Sequence, residues 1–454
     1  MIVEGYLIMI KDFAKKLLER AIEKGFTDGE VHLSDGNSFS VQILEGEIDK
    51  YQNSSSRGIS FRGTYNGKMG YSYSEWIDDD AIDIIITEAL QNSEILEEPE
   101  QAKLFTGFAD EKYEKVCSFH EDLEKIAIEE KINAALLMEK TAKNGELIKA
   151  VDHCGVSYGE GSTLIMNTYG MILEHRSNSA SAYASARAVK EDGDKSETKV
   201  GGEHWHGVNW SEFDPVKIGN EAAVDAAAKL GAKQIKSGKY KIAMKNTAFA
   251  SLVSTYTSVI LADTAQKGLS LLAGKLGEKI ASDNFTLLDS PLYPERESPF
   301  DSEGVATYNK AVIENGVFKT FLHNLKTAAK DGVKSTGNAS GGYRSPIGVS
   351  PRNLHVKPGE ISHDDLIKQA GDGLYITGLS GLHSGANSVS GDFSVLAEGF
   401  LIENGKLTRP VEQITVAGNF FDVIKDIEAI ADDFRWGSIG SPAVLLGGLN
   451  VAGE

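Results

Sequence analysis

The chain has 454 residues, of which 41% are hydrophobic and 25% are charged, and its formal net charge is −20. This composition is typical of a globular protein of two or three domains, and no run of about 18 apolar residues could span a bilayer. The acidic charge argues against direct contact with nucleic acid or an anionic membrane, because both repel a negative surface. The two cysteines form no C-x-x-C motif, which favours a reducing cytoplasm.

The first 96 residues alternate between helical and strand-like patterns. Residues 11–25 carry apolar side chains at helical spacing and stop at a glycine. Asn66-Gly67 lies between two strand-like runs and predicts a tight hairpin. Residues 78–96 return to a helical pattern, with acidic residues at the start. These features predict an N-terminal α+β domain over residues 1–96.

The next region, 97–236, is predicted to be a second α+β unit. Residues 97–107 are polar and acidic and are interpreted as a linker. A long helix is predicted over 121–145 and another over 215–235, with strands between them. Residues 191–194, Glu-Asp-Gly-Asp, predict the tip of a hairpin.

From residue 237 to residue 454 the sequence consists mainly of strands separated by glycines. One helical segment is predicted over 247–268. Ile-Glu-Asn-Gly occurs at 313–316 and at 402–405, each time between alternating apolar residues, and predicts a type I′ hairpin at both places. The expected fold class is therefore α+β, with a mostly antiparallel and barrel-like C-terminal domain.

The stretch GGEHWHG at 201–207 is a candidate metal site. On a strand, His204 and His206 point to the same side, because side chains alternate with a period of two. Glu203 faces the other way, so a third ligand would have to come from elsewhere, whereas catalytic zinc needs three protein ligands. The end of a surface strand is the simpler interpretation.

Two further candidates have simpler explanations. The Gly/Ser-rich stretches 380–392 and 335–342 could place a serine nucleophile beside His383, but flexible loops or a close approach of another backbone explain them better. Asp301 and Glu303 could be paired carboxylates, but a turn after a proline accounts for them. The chain has no P-loop motif.

Several stretches together resemble one protein family, TldD/PmbA. The resemblance follows nearly the whole chain in order. The stretches that carry it are SRGISFRGTYNGKMGYS (56–72), NTYG (167–170), PFDSEGVATYNKAVIENGVFKTFLHNLKTAAKDGVKSTGNASGG (299–342), SGANSVSGDFSVLAEGFLIENGKLTRPVEQITVAGNFFDV (384–423) and LGGLNVAG (446–453).

The family implies a cytoplasmic metalloprotease of two subunits. In its zinc-bearing subunit, a helix carries H-E-x-x-x-H, and a cysteine near the C-terminus completes the site. Alignment without gaps places the first His-Glu on Val253-Ser254 and the second histidine on Ser258, and no cysteine follows Cys154. The chain therefore resembles the zinc-less PmbA (TldE) branch. We expect no catalytic residue and no cofactor in this chain, and we expect zinc in a TldD-like partner.

The resemblance implies a non-catalytic subunit, in a heterodimer with a zinc-bearing TldD-like chain or in a homodimer, that helps to process unfolded or leader peptides. Added-strand hydrogen bonds would hold an extended peptide. His383, Ser384, Gly385 and Asp392 are the predicted peptide-lining residues.

Two alternatives remain open at this point. One is a self-associating peptide-binding protein without protease activity. The other is an enzyme with a relocated site that uses His204 and His206 or the segment 380–392. The family also carries an older name that links it to DNA gyrase, but the charge of −20 argues against direct DNA contact.

Overall fold

The computed structural model describes residues 2–96, 103–108, 111–193 and 195–454, with side chains from residue 9 onward. Helices make up 26% and strands 41% of the structure, which confirms the α+β class. Most of the predicted linker 97–107 lies outside the described residues. Within its described part, Leu104 and Phe105 are buried, so this part packs against the protein instead of lying in solvent.

One antiparallel sheet organises the first half of the chain. Its strands are β1 (Glu30–Leu44), β2 (Glu47–Tyr65), β3 (Lys68–Ser74), β4 (Ile148–Asn167), β5 (Ile172–Asp192) and β6 (Lys195–Gly207). They lie in the order β3-β2-β1-β4-β5-β6. Because β1 pairs with β4 from Glu30↔Asn167 to Gln42↔Gly155, the sheet is continuous across residue 96. The division into domains 1–96, 97–236 and 237–454 stays a prediction.

Helices cover one face of this sheet. They are α1 (Ile2–Glu23), α2 (Asp79–Ile95), α3 (Glu121–Glu124), α4 (Ile128–Lys143) and α5 (Pro215–Ala228). The helices α1 and α2 cover the β1–β3 end, and α4 and α5 cover the β4–β6 end. Alternation along the strands places small polar residues on the opposite face, where the Ser157 and Ser181 hydroxyl oxygens lie 2.9 Å apart.

Local signals located the hairpins correctly and the helix ends less well. Asn66 and Gly67 have φ of 50° and 77°, which confirms the predicted turn. The predicted helix 121–145 is wrong as one unit, because Ala127 is extended (ψ 148°) between α3 and α4. The predicted helix 215–235 ends early, at Ala228. The hairpin at 191–194 joins β5 to β6, although Asp194 lies outside the described residues.

The C-terminal half contains further short elements around a barrel. Its helices are α6 (Asn246–Thr255), α7 (Ala262–Gln266), α8 (Leu325–Asp331), α9 (His363–Ala370), α10 (Leu382–Gly385) and α11 (Phe420–Lys425). Its strands are β7 (Gly238–Met244), β8 (Leu287–Asp289), β9 (Lys310–Glu314), β10 (Val317–Phe318), β11 (Ala339–Ser340), β12 (Gly348–Val349), β13 (Leu354–Val356), β14 (Gly373–Ser380), β15 (Asp392–Glu403), β16 (Lys406–Asn419), β17 (Ile427–Ile430), β18 (Arg435–Trp436), β19 (Gly440–Ser441) and β20 (Val444–Ala452).

The predicted barrel is confirmed. Pairing of β16 with β20 closes the five strands β16-β15-β14-β7-β20 into a ring, in which only β7 and β14 run parallel. Both Ile-Glu-Asn-Gly turns adopt the predicted positive φ, at Asn315 and Gly316 and again at Asn404 and Gly405. A second sheet, β10-β9-β8-β13-β19-β18, packs beside the ring.

The helix predicted over 247–268 is not continuous. It consists of α6, a 3₁₀ turn at Thr257–Ile260 and α7, because Leu261 takes an extended conformation (ψ 130°). The helices α8 to α11 were not predicted from the sequence. In the part of the chain that the structure covers, no helix is both long and apolar enough to cross a bilayer.

Candidate functional site

The positions aligned with the family's metal motif lie at the end of α6 and just beyond it. Val253 is 2% exposed and lines an apolar cavity of about 20 Å³ together with Phe285 and Leu354. Ser254 is partly buried on the same helix, and Ser258 lies in the following 3₁₀ turn. Val253 has no lone pair, and a neutral hydroxyl is a poor zinc ligand. These three residues therefore do not fit a zinc ion.

Tyr256 connects this helix to the segment predicted to line a peptide. Its ring stacks on Phe420 with 4.4 Å between centroids, and its hydroxyl donates to the Asp392 carbonyl over 3.0 Å. Burial, with the charge of Asp392, raises the pKa of Tyr256 to about 12, so the hydroxyl keeps its proton. The fold thus brings together two regions that are far apart in the sequence.

The segment around α10 exposes most of its predicted site residues. His383, Ser384 and Asp392 are exposed and Gly385 is partly buried. Hydrogen bonds from Asn419 and Ser390 lower the pKa of Asp392. The close approach of another backbone that was predicted for this stretch occurs at Gly385 within the chain itself, because a Cβ there would meet the Ser394 carbonyl oxygen at 2.4 Å. The role of these four residues stays a prediction.

Residues 432–446, which stand where the family's zinc-bearing subunit has its cysteine, pack against α6. Asn246 at the start of α6 donates to the Asp433 carbonyl oxygen over 2.9 Å. Ser441 of β19 is fully buried and donates to the Pro442 carbonyl. This segment therefore lies against the helix that carries the aligned motif positions, and it contains no cysteine.

The stretch 201–207 ends the edge strand β6, as the simpler interpretation predicted. Glu203 forms an ion pair with Arg435, whose guanidinium also donates to the His204 carbonyl over 2.8 Å. Trp205 stacks on Phe213 on the helix side, so both histidines face the other way. Among the described residues, no group of three or more His, Cys, Asp or Glu side chains is arranged to hold a metal.

Asp301 and Glu303 form the turn that the sequence predicted. Asp301 Oδ1 accepts from the backbone N–H groups of Glu303 and Val305 over 2.9 and 3.0 Å. Both residues are buried, which the sequence did not indicate. Burial, followed by the charge of Glu303, raises the pKa of Asp301 to about 7.

Glu303 belongs to a buried ionic junction between the two halves of the chain. Arg62 of β2 donates to Glu30 over 2.7 Å and to Glu303 over 3.4 Å. A neighbouring pair, Asp289 and Lys310, is separated by 3.2 Å and is also buried. No local sequence pattern indicates this junction, because its members are up to 273 positions apart in the chain. The residues hold the N-terminal sheet against the C-terminal half.

Placing the motif histidine into α6 is expected to destabilise the protein. The variant Val253→His should lose about 1–3 kcal/mol of unfolding free energy, because an imidazole would enter an apolar core without a hydrogen-bond partner. Urea-induced unfolding measures the loss. Ser254→Glu on the partly exposed side of the helix is the matched control and should cost less. Equal stability of V253H and the wild-type chain would contradict the closed packing at this position.

Comparison with known proteins matches all three parts of the chain. Family models of the PmbA/TldA metallopeptidase match as domain 1 over 29–93, as the central domain over 121–230 and as the C-terminal domain over 237–453. A protein of Methanocaldococcus jannaschii is 31% identical over 440 residues, which cover 95% of this chain and 99% of its own. The metalloprotease PmbA of Escherichia coli O157:H7 is 26% identical and covers 97% of each chain.

Two crystal structures share the fold over almost the whole chain. A Thermotoga maritima protein named as a candidate modulator of a DNA gyrase is 32% identical, with a TM-score of 0.90 over 97% of this chain and 100% of its own. TldE of Thermococcus kodakarensis is 21% identical, with a TM-score of 0.87 and the same coverage, which supports the fold alone. Sequence motifs, three matched domains and a common fold lead to one conclusion: this chain belongs to the PmbA/TldD family of metallopeptidases.

Proposed function

We propose that this chain is a PmbA/TldE-like subunit without a zinc site of its own, which works in the cytoplasm beside a zinc-bearing relative of the same fold. The observation that carries the proposal is the chemistry of the aligned motif. Val253, Ser254 and Ser258 supply neither an imidazole nor a carboxylate, and Val253 lies in a closed apolar core. A catalytic zinc requires three protein ligands and an open position for water. The three aligned residues meet none of these requirements.

In this proposal, the two subunits process unfolded or leader peptides. The zinc-bearing relative supplies the metal, and this chain stabilises it and restricts which peptides reach it. The segment with His383, Ser384, Gly385 and Asp392 lines the peptide path, because Tyr256 ties it to the end of α6. Hydrogen bonds to an added peptide strand favour extended chains over folded ones.

Zinc content and reconstitution test the proposal together. The purified chain should retain far less than one zinc per molecule after exhaustive dialysis and should not cleave an unfolded fluorogenic peptide. Mixed with a zinc-bearing relative from the same source, it should raise cleavage above that of the relative alone. A relative with its motif glutamate replaced by glutamine is the matched control and should stay inactive in the mixture.

Stoichiometric zinc with cleavage by the chain alone would overturn the proposal. His204→Ala and His206→Ala would then test whether GGEHWHG holds the metal. No gain of activity in the mixture, with both proteins folded, would overturn the proposed subunit role.

A further inference from the structure

A polar groove of about 480 Å³ lies between the open face of the N-terminal sheet and the loop 295–297. Its floor is formed by β1, β4 and β5, and its rim includes His206 and Arg296. The volume lies within the range of small-ligand sites. The groove is separate from the α10 segment proposed above to line the peptide path.

Two glycines in the floor are not explained by the packing of this chain. A Cβ at Gly159 would meet no atom within 4 Å, and one at Gly161 would meet only the Asp35 carbonyl oxygen at 3.7 Å. Neither glycine has a positive φ. Glycine weakens the interior of a strand and often marks the close approach of another backbone. The floor of the groove is therefore suited to contact with a foreign main chain.

Arg296 presents a positioned positive charge at the rim. Its guanidinium lies over the Trp436 ring, 4.6 Å from the centroid, and makes no hydrogen bond or ion pair within the described ranges of the chain. Trp436 is itself held by Tyr293 and Phe434, with centroid distances of 5.0 and 5.3 Å. A stacked guanidinium keeps its donor edge available for a carboxylate, which it can bind with two parallel hydrogen bonds.

The other charges of the groove limit the type of anion. Glu295 and Glu297 flank Arg296, and Glu160 also lines the groove, so a ligand with several negative charges would be repelled. Glu297 Oε2 is buried and has no hydrogen-bond partner in the described part of the chain, so this chain leaves one acceptor beside the groove unsatisfied. A single carboxylate joined to a main chain matches Arg296 and the glycine floor.

We propose that this groove binds the C-terminal residues of an extended peptide and that Arg296 binds the terminal carboxylate. The inference rests on the proposed function, in which the ligands are unfolded peptides. The glycine floor lets the peptide backbone approach, and hydroxyls such as those of Ser177 and Ser179 offer hydrogen bonds that do not depend on sequence. Arg296 thus makes the subunit selective for peptide ends over internal segments.

Fluorescence anisotropy with two labelled peptides tests the proposal. The peptides share one neutral, flexible sequence and differ only in a free carboxylate or an amide at the C-terminus. The folded chain should bind the free acid at least about tenfold more tightly, as expected for a charge-assisted hydrogen bond. Arg296→Gln should remove the difference, and Arg296→Lys should keep part of it. Arg176→Gln is the matched control, because Arg176 also stacks on a ring, 3.9 Å from the Phe119 centroid, but does not line this groove.

Three results would overturn the proposal: equal affinity for the two peptides, unchanged discrimination in R296Q, or no binding of either peptide by the folded chain. Thermal unfolding of each variant shows that the fold is kept. A result that overturns the carboxylate site can be told apart from one that overturns the subunit role. A zinc-free chain that activates its relative without preferring the free acid overturns only the carboxylate site.

Discussion

Replacing Arg62 by methionine is expected to lower the free energy of unfolding by about 3–5 kcal/mol. The guanidinium lies between Glu30 and Glu303, whose side chains are 1% and 2% exposed. Its removal leaves two buried carboxylates without a positive partner. Burial already raises the pKa of Glu30 against the opposing effect of Arg62, and loss of Arg62 would raise it further. Urea-induced unfolding near pH 7 measures the effect.

Two controls separate the buried charges from a general effect of substitution. The triple variant R62M/E30Q/E303Q removes the cation and both carboxylates and should recover much of the lost stability. Arg20→Met breaks an exposed pair with Asp83 and should leave the unfolding midpoint unchanged. A loss below about 1 kcal/mol in R62M would contradict the role of the junction.

Acidification from pH 6.5 to pH 4 is expected to remove up to about 3 kcal/mol of stability through His32. Burial, followed by the charges of Arg62 and Arg352, lowers the pKa of His32 from 6.5 to about 4. Between these values the unfolded chain binds a proton that the folded chain does not. The contribution is therefore fully present above pH 6.5 and is lost as the pH falls through the folded pKa.

The variant His32→Gln isolates this effect. The difference in stability between the wild-type chain and H32Q should be constant above pH 7 and should shrink steadily from pH 6.5 to pH 4. Chemical unfolding at several pH values measures both chains. A difference that does not change with pH would show that His32 stays accessible to protons in the folded state.

Asp301 is expected to make the stability of the fold depend on pH in the opposite direction to His32. Its pKa is raised from 3.8 to about 7, so the folded chain keeps a proton that the unfolded chain releases between these values. Its contribution is fully present below pH 3.8 and is lost as the pH rises through 7. The pH-dependent differences for Asp301→Asn and His32→Gln should therefore have opposite signs. The same sign for both variants would contradict one of the two assignments.

The features predicted best from the sequence are those decided by neighbouring residues. Asn-Gly pairs at 66–67, 315–316 and 404–405 turn the chain because they tolerate a positive φ, whatever lies around them. The long predicted helices were wrong for the opposite reason. Contacts from outside the segment decide whether a helix continues, as where the Leu322 N–H donates to the Ile260 carbonyl over 2.9 Å in the break before α7.

The candidate site was predicted only in part. The motif alignment identified Val253, Ser254 and Ser258, since it depends on residue order alone. Their proximity to Asp392, through the Tyr256 hydroxyl, required the folded barrel. No sequence pattern indicated Arg296, because its guanidinium is positioned by the ring of Trp436, which is 140 positions away.

The sequence by itself determined the fold class, the hairpins, the closed character of the C-terminal sheet and the family, because hydrophobic alternation, turn chemistry and motif order are written along the chain. Only the tertiary structure decided which polar groups meet. The junction of Glu30, Arg62 and Glu303 and the groove beside Arg296 form where strands from the two halves pack together. Burial and charge pairing arise from that packing, and residue order does not encode them locally.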